Sequence, residues 1–190
     1  MKGKTTICVY CASSGNIDQG YKDDAYTLGR LIAAQGWELV NGAGNEGLMA
    51  AASDGALSVQ GTVTGVIPTF MVQAGWCHHG LTEIVQTQHM HERKQLMAEM
   101  SDACIALPGG CGTLEELMEV ITWKTLGIYS KPIVILNTNG YYQPLLDMLQ
   151  KAMDERFMNE KCRDAWTVAS TPEQAVKQLT DQLEKQTNSH

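Results

Sequence analysis

Three observations predict a doubly wound parallel α/β sheet, a Rossmann-like fold in three α/β/α layers. Short apolar runs alternate with helical patterns along the whole chain. Those runs are nearly continuous in apolar residues, as expected of strands covered on both faces. Glycine-rich turns follow the first, second and fifth runs, where such sheets place their ligands.

The strands expected on this basis are Thr5–Cys11, Trp37–Asn41, Val63–Ile67, Thr82–Thr87, Ala103–Leu107, Pro132–Leu136 and a short last one at Trp166–Ala169. Helices fill the gaps. The first spans about Tyr21–Ala34 and ends at Gly36, because glycine takes the left-handed conformation that closes a helix. A further helix is expected over Leu114–Ile128, with an apolar stripe that includes Met118 and Trp123. The final helix opens at Thr171-Pro172-Glu173, an N-cap followed by proline at the first helical position. No internal repeat or linker interrupts the pattern, so residues 1–185 read as one domain and 186–190 as a frayed tail.

Composition narrows the class. Of the 190 residues 44% are hydrophobic and 18% charged, enough apolar content for one self-sufficient core. The 14 Lys and Arg are outnumbered by 21 Asp and Glu, and a net charge of −7 argues against binding long nucleic acid. The N-terminus passes from Met1-Lys2-Gly3-Lys4 straight into a strand-like run, and no apolar stretch reaches the roughly 20 residues of a membrane span. A cytoplasmic protein without membrane contact is expected. The six cysteines then read as free thiols. Cys8 and Cys11 form a C-x-x-C, but positions three apart on a strand face opposite ways. Cys77, His78, His79, His89 and His91 lack a compact ligand spacing, so no metal is expected.

The segment Pro108-Gly109-Gly110-Cys111-Gly112-Thr113-Leu114-Glu115-Glu116 follows the fifth strand and leads into a helix. A glycine-rich turn there leaves backbone N–H groups open at a positive helix end, an arrangement suited to phosphate. Cys11–Gly15 and Asn41–Met49 converge on the same sheet edge. Glu116 has two readings. Thr113 and Glu116 have the spacing of a capping box, in which the carboxylate serves only the helix end; alternatively it faces a ligand. Met90-His91-Glu92-Arg93-Lys94 opens the helix after the fourth strand and puts two cations where the dipole disfavours them, which an anionic ligand would offset.

Together these residues resemble the Lonely Guy (LOG) family, often labelled lysine decarboxylase. Its Pro-Gly-Gly-x-Gly-Thr-x-x-Glu stands at Pro108–Glu116, and its Met-His-x-Arg-Lys at Met90–Lys94. Likeness extends from Val9–Ser14 through Gly47-Leu48-Met49, Gly65–Pro68 and Glu119–Trp123 to Lys131-Pro132. The resemblance implies hydrolysis of the N-glycosidic bond of a nucleoside 5'-monophosphate, of cytokinin type or AMP-like, with release of free base and ribose 5-phosphate. It implies Arg93 and Glu116 as the catalytic pair. Lys94, Gly109, Gly110, Cys111, Gly112, Thr113 and Thr122 are implied around the substrate. It further implies no cofactor, and a homodimer with the site near the subunit contact. A fixed carboxylate suits this chemistry, because cleavage builds positive charge on the ribose, and Arg93 is expected to keep Glu116 ionised.

This chain departs from the family where Tyr-Gly-Gly-Gly-Ser-x-Gly-Leu-Met-Gly becomes Asn41–Ala50. Ala43 and Ala50 replace glycines and are expected to narrow the approach to a phosphate, and Glu46 adds negative charge. The loop Gln73–His79 lacks the acidic residue of plant members, His89 replaces an aspartate, and Trp76 is a candidate for stacking on a purine. Two other functions compete. A molybdenum-cofactor binding protein shares the fold without hydrolysis, and a pyridoxal-phosphate decarboxylase would need a Schiff-base lysine in a larger scaffold.

Overall fold

The computed structural model describes residues 4–188. Its strands are β1 (Thr6–Tyr10), β2 (Glu38–Asn41), β3 (Val63–Pro68), β4 (Glu83–Thr87), β5 (Ala103–Ala106), β6 (Ile133–Leu136) and β7 (Thr167–Ala169). They form one sheet of order β4-β3-β2-β1-β5-β6-β7, with every pairing parallel. The chain builds outward from β1 to β4, then returns to the other side of β1 to lay down β5. Strand order therefore reverses between β1 and β5, the place where a crevice opens in such sheets.

Helices α1 (Gln19–Ala34), α2 (Gly47–Leu57), α3 (Thr69–Gln73), α4 (Met90–Met100), α5 (Cys111–Thr125), α6 (Gln143–Asp154) and α7 (Pro172–Asn188) complete the layers. The two-residue period of β1 divides the core. Ile7, Val9 and Cys11 pack with Leu28, Ile32, Leu48, Ala52, Val176 and Leu179 of α1, α2 and α7. Cys8 and Tyr10 face the other way, onto Met97, Leu117, Val120 and Ile121 of α4 and α5. The C-x-x-C is thus split between two cores, and burial pushes both of its thiols up, away from the thiolate form.

Local signals explain most helix ends. α1 starts two residues before the expected Tyr21 because the Asp18 carboxylate accepts from the Gly20 amide at 2.9 Å. It stops where Gly36 turns left-handed, and Trp37 N–H reaches back to the Ile32 carbonyl at 3.3 Å. In α7 the Thr171 hydroxyl accepts from Gln174 N–H at 3.3 Å, the cap the sequence placed there. That helix runs on through Asn188, across positions 186–188 where fraying was expected; 189 and 190 lie outside the described residues. α5 lies three residues upstream of its expected span: it begins at Cys111, and Gly127, with φ 77°, ends it before Ile128.

α1 and α2 pack almost backbone to backbone. A methyl group at Gly29 would overlap the Ala52 carbonyl, and one at Gly55 would overlap the Tyr26 carbonyl. This close approach fixes how far α2 can move, and α2 carries the turn after β2. Gly55→Ala is expected to lower the unfolding free energy by about 1–3 kcal/mol, the usual cost of overpacking, in a urea titration.

Candidate active site

Beyond the carboxyl ends of β1, β2 and β5 lies a cleft of about 620 Å³. The three turns marked in the sequence all reach it, through Cys11–Ser14, through Gly42 and Gly44–Glu46, and through Gly110–Thr113. One end is polar, made by the start of α5. The first intrahelical bond runs from Leu114 N–H to the Gly110 carbonyl at 3.0 Å, so the amides of Cys111, Gly112 and Thr113 precede the hydrogen-bonded ladder. Met49, Met71, Met90 and Trp76 supply apolar wall to the same cleft, with Trp76 52% exposed.

Glu116 lies in the second turn of α5, not at its cap. Gly110 is the N-cap, which makes Thr113 the third helical residue and removes the capping-box reading. The Glu116 side chain lines the cleft from a residue only 6% exposed. It has no hydrogen bond or ion pair among the described residues. Burial pushes its carboxyl up to about 7 against the opposing pull of Arg93. Arg93 therefore does not hold Glu116 in the ionised form, contrary to expectation: desolvation outweighs a cation that shares the cleft without touching it.

Arg93, 4% exposed, also lines the cleft, but most of its fork is spent on the backbone. Nε donates to the Val66 carbonyl at 3.0 Å and Nη2 to the Gly42 carbonyl at 3.1 Å. Nη1 lies 4.0 Å from the Met71 sulfur and 3.8 Å from that of Met90. The guanidinium ties the end of β3 to the turn after β2. A side chain at Gly42 would collide with it, so glycine is required there. Lys94 is likewise committed, to Glu115 at 2.8 Å and Glu119 at 3.3 Å. Burial would lower the Lys94 ammonium, yet its two carboxylates win and hold it raised, while Lys94 depresses Glu115.

The remaining predicted positions divide. Gly110, Cys111, Gly112 and Thr113 line the cleft, whereas Gly109 lies buried behind it against Thr113. Thr122 is exposed on α5, outside the cleft, and donates to the Met118 carbonyl at 2.7 Å. The alanine substitutions do not narrow the site: Ala43 is fully buried with Ile67 and Cys77, at φ 57°, and Ala50 is not part of the cleft wall. Glu46 does line it, as expected. Sequence reasoning missed the methionines and the pairing of Lys94 with Glu115. It also missed Asn45, whose N–H donates to the Trp76 carbonyl at 3.0 Å and whose side-chain amide donates to the Gly75 carbonyl at 2.9 Å, so that it anchors the loop carrying Trp76. Charges at helical spacing on α4 and α5 were the available sign of the Lys94 pairing.

A family model described as "Possible lysine decarboxylase" matches residues 49–179. A cytokinin riboside 5'-monophosphate phosphoribohydrolase of Rhodococcoides fascians is 43% identical over 90% of this chain and 87% of its own. One of Arabidopsis thaliana is 42% identical over 92% and 82%. A probable one of Oryza sativa subsp. japonica is 41% identical over 92% and 72%. Among solved structures, the molybdenum cofactor binding protein of Rippkaea orientalis superposes with a TM-score of 0.75 at 25% identity, covering 96% of this chain and 99% of that one. The molybdenum cofactor carrier protein of Chlamydomonas reinhardtii gives 0.76 at 24%, over the same shares, a likeness of fold.

The buried, unpartnered carboxyl has a measurable consequence. Between the ordinary carboxyl value of 4.5 and about 7 the folded state holds a proton on Glu116 that the unfolded chain has released, so this residue's contribution to stability falls as pH rises through that window. The loss amounts to about 3 kcal/mol by pH 8. Glu116→Gln removes it. The melting temperature of the variant relative to the parent is expected to rise between pH 5 and pH 8; an equal difference at both values would mean that Glu116 titrates normally.

Proposed function

The chain belongs to the Lonely Guy (LOG) family, and from that membership we propose that it hydrolyses the N-glycosidic bond of a purine nucleoside 5'-monophosphate, giving free base and ribose 5-phosphate. The observation that carries this reading is Glu116, a buried carboxyl without a partner, held at the cleft beside the open amides of α5. In this reading the 5'-phosphate sits on the amides from Gly110 to Thr113, and the base lies toward Met49, Met71, Met90 and Trp76. The ribose comes between them, within reach of Glu116.

Cleavage sends the bonding electrons to the departing base and leaves positive charge on the sugar ring; water then adds its oxygen to the ring carbon, and the proton it gives up balances the one the base takes on. As carboxylate, Glu116 stabilises that charge and orients the water. Its raised ionisation range is compatible with that role: with the carboxyl at about 7, much of it is carboxylate near neutrality, and positive charge developing on the ribose favours that form. Arg93 acts in this account mainly as the strut that holds the cleft's two walls, with one edge turned to the ligand. No cofactor is needed. A non-catalytic carrier of the molybdenum-cofactor type would have no use for a carboxyl kept without a partner in the cleft wall.

The reaction is assigned to the cytoplasm, where six free cysteines would stay reduced. A homodimer fits the apolar end of α5: Leu126 is 67% and Ile128 72% exposed, beside a groove lined by Trp123 and Tyr129. Thr122 stands on the exposed face of the same helix, so its implied contact with substrate is assigned to the cleft of the partner subunit.

The test is a panel of nucleoside monophosphates, with and without N6 substituents, scored by chromatographic release of free base. Release from the purine nucleotides is expected; release from none would end the enzymatic reading. Glu116→Gln should lower kcat by about 100-fold or more. Arg93→Ala should lose both activity and thermal stability, because the Val66 and Gly42 carbonyls lose their donors. In light scattering after gel filtration, the parent should run as a dimer and Ile128→Glu as a monomer.

A further inference from the structure

Three carbonyls of the loop before α5 are taken by donors from elsewhere. Leu107 accepts from the Tyr142 hydroxyl at 2.6 Å, Pro108 from the Ala12 amide at 3.2 Å, and Gly109 from the Tyr141 hydroxyl at 2.7 Å. Gly110 accepts from Leu114 N–H within the helix. A trans peptide points its carbonyl and the following N–H in opposite directions. A hydroxyl that holds the Gly109 carbonyl from behind therefore turns the Gly110 N–H away from itself. Tyr141 does not line the cleft, whereas Gly110 does.

We propose that Tyr141 is a positioning residue for the phosphate site: by fixing the Gly109–Gly110 peptide plane it presents the Gly110 amide to the anion and keeps the carbonyl out of its reach. This rests on the reading that the Gly110–Thr113 loop holds the substrate's phosphate. It matters because the nearby cations are occupied, Lys94 by two carboxylates and Arg93 by backbone carbonyls, so oriented amides carry most of the attraction.

Tyr141 is itself held firmly. Its ring meets Tyr21 edge-on at 6.1 Å and Tyr142 at 5.2 Å. Its N–H donates to the Thr138 carbonyl at 3.0 Å, and the Thr138 hydroxyl donates to Asp24 of α1 at 2.7 Å. The turn between β6 and α6 thus braces the loop after β5 against α1. Its hydroxyl can be removed while the ring packing stays, because Tyr141 is 43% exposed and no buried void is left behind.

The experiment compares the parent with Tyr141→Phe by calorimetric titration of inorganic phosphate and of ribose 5-phosphate, neither of which requires turnover. A loss of about 3- to 10-fold in affinity for both is expected, the usual effect of one hydrogen bond, with the melting temperature nearly unchanged. In the base-release assay KM should rise by a similar factor while kcat stays within twofold. In parent protein labelled with 15N-glycine, the Gly110 amide should show one of the largest shifts on phosphate addition. Unchanged phosphate affinity in the variant, a fall confined to kcat, or an unresponsive Gly110 amide would overturn the proposal. Absence of base release from every nucleotide, with the phosphate results as expected, would remove the enzymatic reading and leave this one standing.

Discussion

The pairing of β1 with β5 is the constraint on which the rest depends. Ile7 to Tyr10 lie in register with Ala103 to Ala106, and the ladder continues past both strands when the Ala12 amide donates to the Pro108 carbonyl at 3.2 Å. That last bond sets the start of the turn after β1 against the start of the loop after β5. On the other side, the Ala12 carbonyl accepts from the amides of Leu48 and Met49 at 2.9 and 3.2 Å, so it also fixes the start of α2. One residue thus joins the three turns that enclose the cleft. The apolar strands supply the driving force for this arrangement, and the cleft is what remains where the strand order reverses.

The electrostatics of the cleft are not those of a basic pocket. Four acidic side chains, Glu46, Glu115, Glu116 and Glu119, lie in or beside it, and the cations are neutralised locally or bound to backbone. The positive end that remains open at the cleft is the start of α5, whose backbone amides are fixed in place and need no side chain to be ordered. Glu116 can remain uncharged near neutrality in such a setting, and its carboxyl need not repel an arriving phosphate. An enzyme built on this plan would accept a dianion and a carboxyl in one cleft by keeping the second partly protonated.

Ala43 shows how a departure from the family pattern is accommodated. It takes the left-handed conformation with φ 57° where glycine is usual in the family, and its N–H donates to the Asn41 side chain at 2.9 Å. Asn41 also donates to Ser53 at 2.9 Å. Its methyl meets Ile67 and Cys77 in a small apolar cluster under the Trp76 loop. The buried contacts offset part of the strain of a non-glycine residue in that region.

How far the sequence alone reached follows from the range of the forces involved. Strand positions, the sheet type, the three glycine-rich turns and the cap at Thr171 are encoded by local periodicity and turn chemistry, and each lies within one or two residues of its expected place. The joint presence of Arg93 and Glu116 in one cleft followed from motif and sheet type together. What the sequence did not determine is which partners these groups take. That Gly110 rather than Thr113 caps α5, that Arg93 reaches 27 residues back to Val66 and 51 to Gly42, and that Tyr141 reaches Gly109 across 32 residues are outcomes of packing. Hydrogen-bond partners so distant in the chain leave no periodic trace, because they are chosen by how layers stack and by the cost of leaving a buried polar group unpaired. The sequence specified the layers and the residue types at the cleft, and tertiary structure decided which of those residues are struts and which one is left without a partner.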